Sequence, residues 1–276
     1  MGKPTGFLDY NREGNPSIEP KKRIKNFNEF HGMLSAEERR LQGARCMNCG
    51  VPFCQSGIVF HGKRLGCPLH NLIPEWNDML RRENPEHALS RLLKVNCFPE
   101  FTGRICPAFC QRACVLGEQG EPVQIKKNEL FIIEFAFEKG FMLPQPPQSR
   151  SGKTAAIIGG GPAGMAAAWH LNRRGHLVTV YDQGAEPGGQ LLQIPNNQLP
   201  PEIVRRRVRL MEEEGVVFNC GVTANPEELA RQYDTVVCCT GPRSKKESLV
   251  VLAIAEGKAK AAQADIELMG FTSIEI

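Results

Sequence analysis

The sequence predicts a chain of class α + α/β: a helical N-terminal domain followed by a Rossmann-like, doubly wound unit. Three observations carry this. Eight of the eleven cysteines lie between Cys46 and Cys114, among segments whose apolar residues recur at helical spacing. The run Pro144-Gln145-Pro146-Pro147-Gln148-Ser149 is the clearest linker, dividing the chain into domains at 1–145 and 146–276. Beyond it a short apolar strand meets Gly159-Gly160-Gly161-Pro162-Ala163-Gly164 and a helix, then a second strand ending in Asp182.

The first 35 residues are rich in Gly, Pro and Asn and read as an extended arm with no functional signal. Ser35-Ala36-Glu37-Glu38 is a capping box, the Ser side chain taking an orphan N–H while Glu38 reaches back, so a short helix runs to about Gly43 and delivers Cys46. The gaps of two and four residues between Cys46, Cys49 and Cys54 let one loop wrap its thiolates around an inorganic centre. Neighbouring N–H groups can then point at the sulfurs, as in iron-sulfur proteins. Zinc is the alternative, since Cys-x2-Cys opens many structural zinc sites. Such sites need a second close pair, however, and Cys106, Cys110 and Cys114 are spaced for a helical turn instead. Disulfides rank last, because an odd cysteine count fits a reducing compartment. Helices are expected over 72–82, from Asn84 through Leu93, and over 129–138, the last ending at Gly140. Pro107 keeps a helix from starting directly at Cys106. His61, His70 and His87 stand alone and read as surface residues rather than ligands.

In the second half, Thr154–Ile158 reads as a buried strand. Gly159 serves the tight turn that follows, Gly161 the approach of a pyrophosphate, and Gly164 close helix packing. The helix that begins at Pro162 and Ala163 offers unpaired N–H groups and a positive dipole end to phosphates. Asp182, 18 residues beyond Gly164, is placed to accept from a ribose hydroxyl. It disfavours a 2′-phosphate, so the ligand is FAD or NAD rather than NADP. Gly188-Gly189-Gln190-Leu191 adds a second glycine pair of the kind seen in flavoproteins, which favours FAD.

The net charge is only +4, and apart from Lys21-Lys22-Arg23 and Arg205-Arg206-Arg207 it is scattered, so nucleic acid is not implied. The N-terminus lacks the apolar segment of a signal peptide, and the longest apolar runs fall short of the roughly 20 residues that span a bilayer. A cytoplasmic protein without a membrane partner is expected.

Taken together, these motifs closely resemble the family of small (beta) subunits of NADPH-dependent glutamate synthase, and more loosely the N-terminal part of dihydropyrimidine dehydrogenase. The resemblance rests on Cys46 to Cys54, Gly66-Cys67-Pro68-Leu69, Asn71-Leu72-Ile73-Pro74-Glu75-Trp76-Asn77-Asp78 and Phe98-Pro99-Glu100-Phe101-Thr102-Gly103-Arg104. Cys106 to Cys114, the Gly159 turn and Gly188-Gly189 complete it, over about residues 20–241. It implies two [4Fe-4S] clusters, one on Cys46, Cys49, Cys54 and Cys114. The other would take Cys67, Cys106 and Cys110, with Glu129 where a relative supplies a non-cysteine ligand; Glu129 also reads as an ordinary exposed helix residue. Cys97, Cys220, Cys238 and Cys239 fall outside the pattern and read as buried thiols.

The resemblance further implies FAD in the second domain and a role in electron transfer. NADPH would give a hydride to FAD, and electrons would pass through the clusters to FMN in a large subunit that forms glutamate. The chain also departs from the family, whose members carry a second, NADPH-binding Rossmann unit inserted in the flavin domain. Here Thr235-Val236-Val237-Cys238-Cys239-Thr240-Gly241 passes within a few residues to a segment from Ser248 to Gly257 that resembles the C-terminal helix, with no second G-x-G-x-x-G. The family's Gly-Asp becomes Gly241-Pro242, and a sheet strand is lost unless Val236 to Cys239 takes its place. The expected protein is a helical iron-sulfur domain followed by a truncated Rossmann-like FAD-binding domain. It would pass electrons to a large FMN-containing subunit without oxidising NADPH by itself and without an acid-base residue of its own. The alternatives are an iron-sulfur docking subunit without FAD and a truncated, inactive gene product.

Overall fold

In the computed structural model, which describes residues 2–241 and 249–275, Ser35 caps helix Ala36–Ala44 through a complete capping box. The Glu38 N–H donates to Ser35 Oγ at 3.3 Å, and the Ser35 N–H donates to Glu38 Oε2 at 2.7 Å. Helices Ile73–Arg81, Pro85–Leu93 and Pro99–Ile105 each carry a proline in the first turn, where a missing N–H leaves no bond unmade. Helix Ile125–Glu138 starts four residues before the predicted Glu129 and supplies Leu130, Ile132 and Ile133 to the core, with Trp76, Phe98 and Phe101 buried beside them. Gly103 permits its closest crossing, since a Cβ there would lie 2.8 Å from that of Leu130. Buried polar groups are paired across the helices: Asn128 donates to Asn77 Oδ1 at 2.8 Å and accepts from Arg39 Nη1 at 2.9 Å.

Cys106 to Cys114 do not share one helix, contrary to their spacing. Pro99–Ile105 stops at Cys106, Ala108 takes the left-handed conformation at φ +56°, and a separate turn, Phe109–Arg112, carries Cys110. Pro107 cannot donate the N–H that would continue the helix. The arm is likewise not simply extended, for it contains the short helical turns Gly6–Asp9 and Pro20–Arg23.

The chain divides into two compact units, one ending at Met142 and the other beginning at Leu143. The second is built on four parallel strands in the spatial order Val217–Cys220, Leu177–Asp182, Thr154–Ile158, Thr235–Cys238. Numbered along the chain this is 3-2-1-4, the doubly wound order whose direction reverses beside the first strand. Thr235–Cys238 thus takes the far side of Thr154–Ile158 and forms an edge among the described residues. Cys238 is exposed and Cys220 half-buried rather than buried as expected, because each ends an edge strand; Cys97 and Cys239 are buried. Pro242 and Ser248, both part of the expected junction, lie outside the described residues.

The last helix, Val250–Met269, runs well past Gly257 and lies against helix Pro162–Arg173. Glycine is needed at 257 because a Cβ would fall 2.0 Å from the Ala163 carbonyl oxygen. Asp265, fully buried on the same helix, accepts from Arg174 Nε at 2.7 Å and lies 2.9 Å from His176 Nε2. Burial alone would raise its carboxyl, but hydrogen bonds from Thr272, His176 and Arg174 outweigh that and hold it below its ordinary value. Its contribution to stability is therefore complete above the unfolded carboxylate pKa and is lost as the pH falls through the lowered folded one. Asp265→Ala is expected to cost about 3 kcal/mol at neutral pH, the lower end for a broken buried pair, because Arg174 keeps some solvent. That cost should shrink below about pH 4. Urea unfolding of both proteins at the two pH values measures it, and equal midpoints at neutral pH would refute it.

Candidate cluster and dinucleotide sites

Helix Ala36–Ala44 hands the chain directly to Cys46, and Asn48 then turns it through a left-handed φ of +55°. That turn brings the Asn48 N–H to the Cys46 sulfur. Cys46, Cys49 and Cys54 line one cavity, and Cys114 joins them from the far end of the cysteine region. Its walls are apolar: Phe53, Ile73, Val123 and Ile125. The thiols surround a space rather than a point, and among the described residues no three His, Cys, Asp or Glu side chains converge as ligands of a single ion do. Such a spread suits a polynuclear cluster, with a thiolate for each iron, better than mononuclear zinc.

Cys67, Cys106, Cys110 and Glu129 form a second set. Cys67 Sγ receives the N–H groups of Leu69 and Asn71, and Cys106 Sγ those of Ala108 and Phe109, so the strained Ala108 turn aims donors at sulfur. Glu129 is only 6 % exposed, which removes the reading of an ordinary surface residue. Asn96 Nδ2 donates to its Oε1 at 3.0 Å and Thr102 Oγ1 donates to the same oxygen, yet burial still pushes the carboxyl up to about 7. Its charge reaches Cys67, Cys106 and Cys110 and disfavours their ionisation. Lys126 Nζ donates to the Cys106 carbonyl at 2.7 Å. The two sets abut, since the Cys67 N–H donates to the Cys54 carbonyl at 2.7 Å. Asn96, Thr102 and Lys126 carried no signal of their own in the sequence, as their partners lie 20 to 33 residues away.

Burial pushes Cys46 and Cys67 up to about 12 and Cys106 up to about 11, and it raises Cys49. Cys54 and Cys110 stand well above the ordinary thiol value for the same reason. A buried thiolate is stable here only beside a compensating cation, which is the chemistry of a soft-metal donor set. His61, His70 and His87 join neither set; the His70 ring lies 2.9 Å from the Gln55 carbonyl instead.

In the second unit, a cleft of about 620 Å³ opens at the carboxyl ends of the strands, a size usual for cofactor sites. Gly159, Asp182, Gly189 and Gln190 line it. Gly159 has φ +104°, which demands glycine. A Cβ on Gly164 would lie 1.7 Å from the Gly159 carbonyl oxygen, whereas one on Gly161 would meet nothing within 4 Å, leaving that face open to a phosphate. Pro162 and Ala163 begin the helix, with Ala163 buried. The Gly188 N–H donates to the Gly160 carbonyl at 2.8 Å, docking the second glycine pair on the first turn, while Leu191 is buried rather than lining the cleft. Asp182 accepts from the Gly160 N–H at 2.5 Å and the Gly184 N–H at 2.6 Å, so it builds the turn as well as facing the cleft. Glu186, Thr223, Ala224 and Thr240 also line the cleft and escaped the sequence reading. They follow strand ends, and only the strand order brings them together.

Residues 23–141 match the family model of dihydropyrimidine dehydrogenase domain II, 4Fe-4S cluster, and residues 157–224 match an NAD(P)-binding Rossmann-like domain. The glutamate synthase [NADPH] small chain of Bacillus subtilis (strain 168) is 46 % identical over 255 residues, covering 91 % of this chain and 52 % of its own length. That of Mycobacterium tuberculosis (strain H37Rv) is 42 % identical over 253 residues, 90 % of this chain and 50 % of its own. Glutamate synthase [NADH] of Schizosaccharomyces pombe is 45 % identical over 249 residues, 87 % of this chain but 11 % of its own length. The chain spans about half the length of the curated small chains it matches. With a 4Fe-4S-type helical unit, a Rossmann-like unit and similarity across nearly all of its length, the chain is a relative of the glutamate synthase small chains.

Proposed function

We propose that the chain is a flavin and iron-sulfur electron-transfer subunit of a glutamate-synthase-like oxidoreductase, acting in the cytoplasm and passing electrons to a large, FMN-containing subunit. The observation that carries this is the gathering of Cys46, Cys49, Cys54 and Cys114 around one cavity, in a chain that also holds a complete dinucleotide turn. These four would hold one [4Fe-4S] cluster. Cys67, Cys106, Cys110 and Glu129 would hold a second, and FAD would occupy the cleft at Gly159, Asp182, Gly189 and Gln190. Bound there, the flavin and clusters supply the electron chemistry that no side chain can. The protein's share is to orient and shield them. Asn96 and Thr102 fix the Glu129 carboxylate beside the thiols, N–H groups brace the sulfurs, and the walls Phe53, Ile73 and Val123 exclude water. None of the described helices is long and apolar enough to cross a membrane.

Because the sequence has one G-x-G-x-x-G and that turn is assigned to FAD, the chain by itself lacks a hydride-donor site. Anaerobically purified, reconstituted protein is expected to carry about one FAD, with dithionite bleaching its visible absorbance and NADPH leaving the flavin band unchanged. Rapid flavin bleaching by NADPH would overturn this assignment.

A further inference from the structure

The first fifteen residues gave no functional signal, yet their contacts converge on the first thiol cavity. Gly2 lies against the loop itself: a Cβ there would stand 2.8 Å from both the Cys46 carbonyl oxygen and Asn48 Cβ. Gly6 sits on the residue two before Cys46, where a Cβ would fall 1.8 Å from the Ala44 carbonyl oxygen. Further on, the segment bonds to both stretches of chain that meet at the cavity. On the side leading to Cys46, Gln42 accepts from the Glu13 N–H at 3.1 Å and donates to the Asn11 carbonyl at 3.0 Å. On the side leading to Val123 and Ile125, Arg12 Nε donates to the Pro122 carbonyl and Gln124 Nε2 to the Glu13 carbonyl, each at 3.0 Å. Arg45, 5 % exposed and adjacent to Cys46, joins all three: one guanidinium nitrogen donates to the Tyr10 carbonyl and another to the Glu121 carbonyl.

We infer that residues 2–15 are a strap that holds the first cluster's pocket shut, fastening the Cys46–Cys54 loop to the 121–125 segment and screening the cluster from solvent, chelators and oxygen. The inference rests on the cluster assignment proposed above. Nearly all of these bonds end on backbone groups, so the strap depends on the path of the chain, with glycine required where it touches the loop. It belongs to the first thiol set alone, for none of these contacts involves Cys67, Cys106, Cys110 or Glu129.

The test follows iron release to a ferrous chelator from the full, anaerobically loaded chain. The kinetic phase missing from Cys54→Ala identifies the first cluster. Gly6→Val and, as a surface change that leaves the core intact, Arg12→Ala are expected to speed that phase, by about tenfold for Gly6→Val, while the other phase and the flavin content stay unchanged. If neither phase moves in either variant, or both accelerate together, the strap is refuted. If Cys54→Ala keeps all of its iron, the cluster assignment falls and the strap with it.

Discussion

A Gly161→Ala chain is expected to fold as well as the parent and keep its iron but purify without flavin, whereas Gly164→Val loses flavin and stability together. The two glycines occupy one turn and differ in what surrounds them. An added methyl at 161 meets no protein atom within 4 Å, so it intrudes only on the space left for the pyrophosphate. At 164 even a Cβ lies 1.7 Å from the Gly159 carbonyl oxygen, and the turn must open to admit it. Overpacking of this kind costs about 3 kcal/mol, and the same loss in binding weakens a ligand about 100-fold. Released flavin per chain, measured beside thermal unfolding, separates the two effects. Flavin retained in Gly161→Ala would show that the ligand does not approach this face.

Cys54→Ala is expected to remove about half of the iron and sulfide, and Cys110→Ala the other half, whereas Cys97→Ala removes none. All three cysteines are shielded to a similar degree, so burial does not distinguish them; their neighbours do. Cys54 lines the cavity with three other thiols, and Cys110 is surrounded by Cys67, Cys106 and Glu129. Cys97 is wholly buried beside Phe98 in the helical core and belongs to neither set. Iron and acid-labile sulfide analysis reads the outcome, and equal losses from Cys54→Ala and Cys97→Ala would defeat the two-set arrangement.

The parts of this molecule legible in the sequence are those governed by local chemistry. The capping box at Ser35 and the strand, turn and helix from Thr154 declare themselves because the residues that form them are neighbours. Distance along the chain hides the rest. Gly257 reads locally as the end of a helix, yet the helix continues to Met269, because the glycine answers a carbonyl on another helix. The spacing of Cys106, Cys110 and Cys114 suggests one helical run, and Pro107 with the left-handed Ala108 breaks it. Glu129 is buried through Asn96 and Thr102, neither within two dozen residues of it. The arm is the extreme case: its partners meet main-chain carbonyls and N–H groups, which leave no pattern in side-chain type.

Asp182 spans the Gly160 and Gly184 N–H groups with its two carboxylate oxygens, and the Gly188 N–H closes on the Gly160 carbonyl. The loop that would receive a nucleotide is therefore templated by the protein's own charge. A ligand arriving there finds its mould already set, and its binding free energy is not consumed in ordering backbone. In a unit with a short sheet and an exposed edge strand, that self-sufficiency lets the pocket hold its form between one occupancy and the next.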